Sequence, residues 1–280
     1  MGLNGIKFVV MEVHHISPEW LSIERVEEIL SKGIKIALSD ESRRRISGCR
    51  EYLDRKMEQQ KEPIYGITTG FGSLCNISID KGSLSQLQKN LVMSHACSLG
   101  ERVPREIVKL MLLTKIQSLS YGNSGVQLST VERLVDFFNN DVLPVVYDQG
   151  SLGASGDLAP LANLSLPLLG LGEVEFEGKV MEAGEVLAHF GWEPVTLMSK
   201  EGLALLNGTQ FMSSYGVWSV IEARKISRWA DKIGSLSLDA FDGRIEPFMP
   251  QIQNVRPHKG QKLTGLSLIH ISEPTRLGMI

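Results

Sequence analysis

The chain has 280 residues, with 29 Lys and Arg against 32 Asp and Glu and a net charge of −3 when the six histidines are neutral. A balance so near zero, without any Lys/Arg block, argues against nucleic acid or an anionic membrane as a partner. At 42% hydrophobic and 22% charged residues the composition is that of a globular protein with room for a sizeable core, and the length suits roughly two domains.

Cys49, Cys75 and Cys97 are odd in number and lack both CxxC and zinc-ligand spacing. Neither a disulfide framework nor a metal site is therefore expected, and a reducing cytoplasm fits best. The longest apolar run, Leu158 to Leu171, is too short to span a bilayer and contains Pro160 and Pro167. Phe8-Val9-Val10-Met11 stops at Glu12 without a signal-peptide cleavage site, and Ile6 stands where myristoylation needs Ser or Thr.

In chain order, Ser22 is placed to cap a short helix, with Leu21 and Val26 as a hydrophobic staple and Gly33 as its end. Ser39 caps a second helix whose Ile46, Cys49, Leu53 and Met57 fall on one face, closing before Pro63. A third runs from about Ser83 to Ser98. Pro104 opens a fourth with Ile107, Leu110, Met111 and Thr114 in its stripe, and Ser129-x-x-Glu132 reads as the capping box of a fifth. Alternation from Val174 to Val180 predicts a hairpin around Gly178. A long helical pattern then runs from Ser199 to about Leu238 with Phe211, Tyr215, Trp218, Ile221 and Trp229, a length that usually packs in a bundle.

Two Gly-rich segments, Ile64 to Gly72 and Gly150 to Gly156, have no apolar period and read as loops, where chemistry tends to sit. Gln149-Gly150-Ser151-Leu152-Gly153-Ala154-Ser155-Gly156-Asp157-Leu158-Ala159-Pro160 fails three familiar patterns. Its glycines do not make G-x-G-x-x-G, no Gly-Lys-Ser/Thr follows, and Asp157 stands where a nucleophile elbow needs glycine. The small residues around Ser155 would let the backbone bend until the Gly156 nitrogen reaches the Ala154 carbonyl carbon, and glycine leaves that nitrogen unhindered.

Gly150 to Ala162 resembles, over thirteen consecutive residues, the signature of the histidine/phenylalanine ammonia-lyase family. The resemblance implies that Ala154, Ser155 and Gly156 cyclise with loss of two waters into 4-methylidene-imidazol-5-one (MIO), an electrophile requiring no external cofactor and no metal. Ile64-Tyr65-Gly66-Ile67-Thr68-Thr69-Gly70-Phe71-Gly72 resembles the family loop bearing the proposed base, which would make Tyr65 the acceptor of the substrate β-proton. Lys200 to Gln210 resembles the family segment whose amide contacts substrate and ring, here Asn207. Asn90-Leu91-Val92-Met93-Ser94-His95-Ala96 is similar to the histidine-specific members, with His95 against the substrate imidazole.

The resemblance runs from about Leu21 to about Gln261 and covers about half of a family member; the second tyrosine, the carboxylate-binding arginine and the glutamate belong to sequence beyond this chain. It implies a mainly α, aspartase/fumarase-like fold with a prosthetic-group domain over residues 1–198 and the start of a central helical bundle over 199–265. Leu266 to Ile280 does not resemble the family and reads as a translated adapter tail, non-native over 266–280. The implied activity is elimination of ammonia from L-histidine to trans-urocanate by a cytoplasmic homotetramer, of which this length alone would be inactive. A tyrosine or phenylalanine lyase, an aminomutase, or a non-catalytic helical scaffold stay open beside it.

Overall fold

This computed structural model describes residues 12–59, 64, 67, 81–151 and 156–276, and the chain forms two compact units, Met1–Val217 and Trp218–Ile280. In the first, β1 (Val13–Ile16) and β2 (Lys35–Leu38) pair in parallel, joined through α1 (Ile23–Lys32). The helix forms as its sequence indicates: Ser22 Oγ accepts from the Arg25 amide at 3.2 Å, and Gly33 ends it at φ 62°. In α2 (Asp40–Gln59), Ser39 Oγ accepts from the Ser42 amide at 3.1 Å and Ile46 and Leu53 are buried.

Next come α3 (Leu84–His95), β3 (Leu99–Arg102), α4 (Arg105–Ser120), α5 (Leu128–Asn139), β4 (Leu143–Pro144), β5 (Tyr147–Gln149) and α6 (Leu158–Ser165). The helix α4 is buried almost all round and packs against α2, α5, α6, β1 and β4, so it is the central element of this unit. β3 lies antiparallel to β5 with Leu99 opposite Gln149. The predicted hairpin is β6 (Glu173–Phe176) and β7 (Lys179–Glu182), antiparallel and turning through Glu177 and Gly178 with φ of 50° and 73°. Two consecutive positive φ values match the twist of the strands. β4 extends that sheet, and α7 (Ala183–His189) packs on its two hairpin strands.

The structure corrects two expectations. The fifth helix begins at Leu128, so Ser129 lies inside it, and no side chain of its own caps it. The buried carboxylate of Glu201 takes that place. It accepts from the Gln127 amide at 2.8 Å, Gln127 Nε2 at 2.6 Å, Thr130 Oγ1 at 2.7 Å and the Met198 amide at 2.7 Å. Glu132, the expected partner in a capping box, pairs instead with Arg43. The long helical pattern from Ser199 is two helices, α8 (Glu201–Leu206) and α9 (Gln210–Ala240), parted at Asn207-Gly208-Thr209, where Gly208 has φ 142°. The parallel β1–β2 pair and the β3–β5 pair have no counterpart in the sequence reading.

In the second unit the later part of α9 is followed by α10 (Pro250–Val255), which packs on α11 (Lys259–Arg276). Ile221 is buried, whereas Ile226, Trp229, Ile233 and Leu236 form an exposed apolar row at helical spacing.

Glu201 holds four donors at once, so a glutamine there would turn its NH2 group against at least one backbone amide, which can only donate. Glu201→Gln should lower stability by about 2–3 kcal/mol, read by denaturant unfolding, whereas Glu132→Gln should change it by less than about 1 kcal/mol.

Candidate functional site

The Gly150 loop is fastened at both ends. A Cβ on Gly150, which has φ 124°, would stand 3.0 Å from Ser98 Cα, so the start of the loop lies against the segment just after His95. At the other end Gly156, with φ 90°, bridges to Gly208, and a Cβ there would fall 2.0 Å from the Gly208 carbonyl oxygen. Neither the angle nor the space admits a side chain. The Asp157 amide then donates to Gly208 O at 2.8 Å, and its carboxylate accepts from the Met212 amide, at the start of α9, at 3.0 Å. Residues of one loop and of the α8–α9 junction are thus joined backbone to backbone.

His95 ends α3, which packs on both α6 and α8. Its Nδ1 lies 2.9 Å from Leu91 O and 3.1 Å from Ser94 Oγ. A carbonyl oxygen can only accept, so the neutral ring carries its proton on Nδ1 and presents Nε2 as an acceptor. Asn207 is the C-cap of α8, and its Nδ2 donates to Leu203 O at 2.9 Å, which leaves Oδ1 as the amide's accepting group. Gly156, His95 and Asn207 therefore lie on segments that touch one another. Tyr65, Ala154 and Ser155 lie outside the described residues.

Around this junction stand buried polar groups that the sequence reading passed over. Gln88 Oε1 accepts from the Gly202 amide at 2.9 Å, and Arg50 Nη1 donates to Ser199 O and Gly125 O, both at 2.8 Å. Lys115, on α4, is 1% exposed and donates to Ala204 O at 2.9 Å, Asn207 O at 3.0 Å and Gln210 Oε1 at 3.4 Å. Burial pulls its pKa down to about 7. Its position was the available signal, since it lies four residues from Met111 and four from Leu119 on the buried stripe of an apolar helix. Among the described residues no group of three His, Cys, Asp or Glu side chains is placed to hold a metal ion, and no helix is long and apolar enough to cross a membrane.

The sequence profile of aromatic amino acid lyases matches residues 21–274. The chain belongs to the aromatic amino acid lyase family. It is 45% identical to a histidine ammonia-lyase of Deinococcus radiodurans across 86% of this chain and 46% of that protein. With a histidine ammonia-lyase of Caldanaerobacter subterraneus subsp. tengcongensis the identity is 42%, across 92% and 50%. Among solved structures, histidine ammonia-lyase from Trypanosoma cruzi superposes with a TM-score of 0.83 at 38% identity, covering 92% of this chain and 50% of that one. Tyrosine aminomutase from Streptomyces globisporus gives 0.83 at 32%, covering 91% and 48%. The chain spans about half the length of the curated relatives it matches. The mainly helical, aspartase/fumarase-like fold expected from the sequence is the fold of this lyase family, which is the MIO-dependent group of ammonia-lyases and aminomutases.

The Lys115 ammonium gives the lyase fold a testable pH dependence. Below about pH 7 the lysine is charged both folded and unfolded, and the fold carries the full cost of burying the charge. Between about pH 7 and the unfolded value near 10.4 the folded lysine is neutral while the unfolded one still binds a proton, so that cost is lifted as pH rises. The stability of the wild type relative to Lys115→Met should therefore increase from pH 6.5 to 9.5 in denaturant titrations, and a flat difference would contradict the depressed value.

Proposed function

We propose that the protein is a histidine ammonia-lyase that eliminates ammonia from L-histidine to give trans-urocanate, the first step of histidine degradation, with an MIO group formed by Ala154, Ser155 and Gly156. The observation that carries this reading is the backbone pairing of Gly156 with Gly208. It joins the end of the triplet to the residue after Asn207, across fifty-odd residues of sequence, and the resemblance gives both segments to one site. The group fits position 156. Only glycine tolerates φ 90° with a carbonyl oxygen where its Cβ would be, and an amide nitrogen without a neighbouring side chain is what ring closure onto residue 154 requires.

The chemical difficulty is a β-proton of low acidity and an ammonium that leaves poorly, so base catalysis alone falls short. The MIO group supplies an electrophile that makes the amine a better leaving group. Tyr65 takes the β-proton. Asn207, through Oδ1, accepts from the substrate's ammonium and holds it toward Gly156. His95 accepts through Nε2 from the imidazole N–H of the substrate, a contact that a phenyl ring cannot make. The names of the 37–45% identical relatives support the same substrate.

The exposed row of Ile226, Trp229, Ile233 and Leu236 on α9 supports assembly into the homotetramer that the resemblance implies. Unpaired cysteines support a cytoplasmic location.

Two measurements on the protein carried to the full length of its relatives test the reading. Intact-mass and peptide analysis should show the loss of two waters within residues 154–156, absent from Ser155→Ala together with its near-ultraviolet absorbance; an unmodified mass in active protein would refute the mechanism. His95→Leu should lower kcat/KM for histidine by on the order of a hundredfold or more while sparing phenylalanine turnover. Tyrosine belongs in the same comparison, because its phenol also offers a donor to Nε2, and equal losses on all three substrates would remove His95 from substrate choice.

A further inference from the structure

We propose that Lys115 is a positioning residue for this elimination, clamping the Asn207–Gln210 turn and thereby setting the direction of the Asn207 amide relative to Gly156. The proposal rests on the site reading above, in which Asn207 contacts substrate. Lys115 itself touches only protein groups.

The geometry that points to it begins with α4. A lysine in the middle of a helix buried nearly all round is costly, and no carboxylate among the described residues pairs with it. What it meets instead is three oxygens drawn from one seven-residue stretch: Ala204 O, Asn207 O and Gln210 Oε1. Ala204 O and Asn207 O stand at the end of α8, where the interruption of the helix removes the amides that would have bonded to them. Protonated, the amine has three donors for these three acceptors, and neutral it keeps two, enough for the two carbonyls. No apolar side chain of the same length offers any.

The turn is then fixed at two successive peptide planes. Lys115 holds the carbonyl of Asn207, and the Asp157 amide holds the carbonyl of Gly208. The Asn207 side chain leaves from the Cα beside the first of these planes. Freed from Lys115, that plane would rotate about the flexible Gly208, whose φ of 142° few other residues adopt, and the amide would turn with it. A shift of about 1 Å at a contacting group costs on the order of a hundredfold in rate. The anchor is well chosen for rigidity, because α4 packs against α2, α5, α6, β1 and β4 and ten of its sixteen residues are buried.

The test is a double-mutant cycle of Lys115→Met and Asn207→Ala in the full-length protein, with turnover measured on whichever aromatic amino acid the wild type uses. Lys115→Met should lower kcat by on the order of a hundredfold with KM within about threefold, and the double variant should be no worse than about threefold below Asn207→Ala alone. Lys115→Arg, which keeps donors at the same place, should recover most of the rate. Losses that multiply, or an unchanged kcat, would overturn the proposal.

Hydrogen exchange supplies a readout that needs no turnover: the Asp157 amide should exchange at least tenfold faster in Lys115→Met, and unchanged exchange would also overturn it. If Lys115→Met does not fold, Gln210→Leu removes one acceptor while leaving the lysine in place, and the same non-additivity with Asn207→Ala is expected. A wild type that turns over no histidine would defeat the substrate reading alone, since the exchange result and the cycle on another substrate still decide the clamp.

Discussion

Gly156 approaches the Gly208 backbone so closely that position 156 has no room for a side chain, and the arrangement of the first unit follows from keeping the two together. A contact between two loops has no helix or sheet of its own to sustain it, so it is held from outside. Asp157, next to Gly156, bonds across it twice, through its amide to Gly208 and through its carboxylate to the start of α9. Behind the α8–α9 junction, Arg50, Gln88, Lys115 and Glu201 reach in from α2, α3, α4 and α8 itself. Arg50, Lys115 and Glu201 have their partners supplied, the condition under which buried polar groups specify one arrangement instead of weakening it, whereas Gln88 bonds through Oε1 and leaves its buried Nε2 without a partner.

The same logic explains why α8 has only six residues. A continuous helix through Asn207 would give its carbonyls to the next turn's amides and take from Lys115 its two carbonyl acceptors. Interrupted, it directs those carbonyls to the lysine and frees Gly208 to meet Gly156. The break costs helix hydrogen bonds, and three of the carbonyls at it find other donors, Ala204 and Asn207 from Lys115 and Gly208 from the Asp157 amide. Lys115 thereby ties this backbone kink to α4.

Local signals in the sequence were sufficient for what local physics decides. Ser22, Ser39 and Gly33 cap where they were expected to, and the hairpin at Gly178 turns with the two positive φ values its strands require. What could not be read is what distant groups decide. Ser129-x-x-Glu132 is a well-formed capping box, yet Glu201 supplies the acceptors and Glu132 is drawn to Arg43. The pattern from Ser199 keeps helical period through Asn207, and only the partners of that kink, on other helices, reveal the interruption. In the candidate site, Gly156, His95 and Asn207 were singled out through a resemblance and not through spacing. Lys115 was visible as a charge on a buried stripe, but its three acceptors lie some ninety residues downstream.

The capping of α5 by Glu201 also sets an order of events during synthesis. The start of α5 leaves the ribosome with the Gln127 amide and the Thr130 hydroxyl unanswered, and the carboxylate that receives them is made about seventy residues later. At translation rates of roughly 5–20 residues per second that is a wait of several seconds. Through that interval α4 and α5 have apolar faces to bury but no closed end. The nascent chain therefore becomes a finished core only when α8 emerges, so the residues that complete the site are also those that end its exposure to proteases and chaperones.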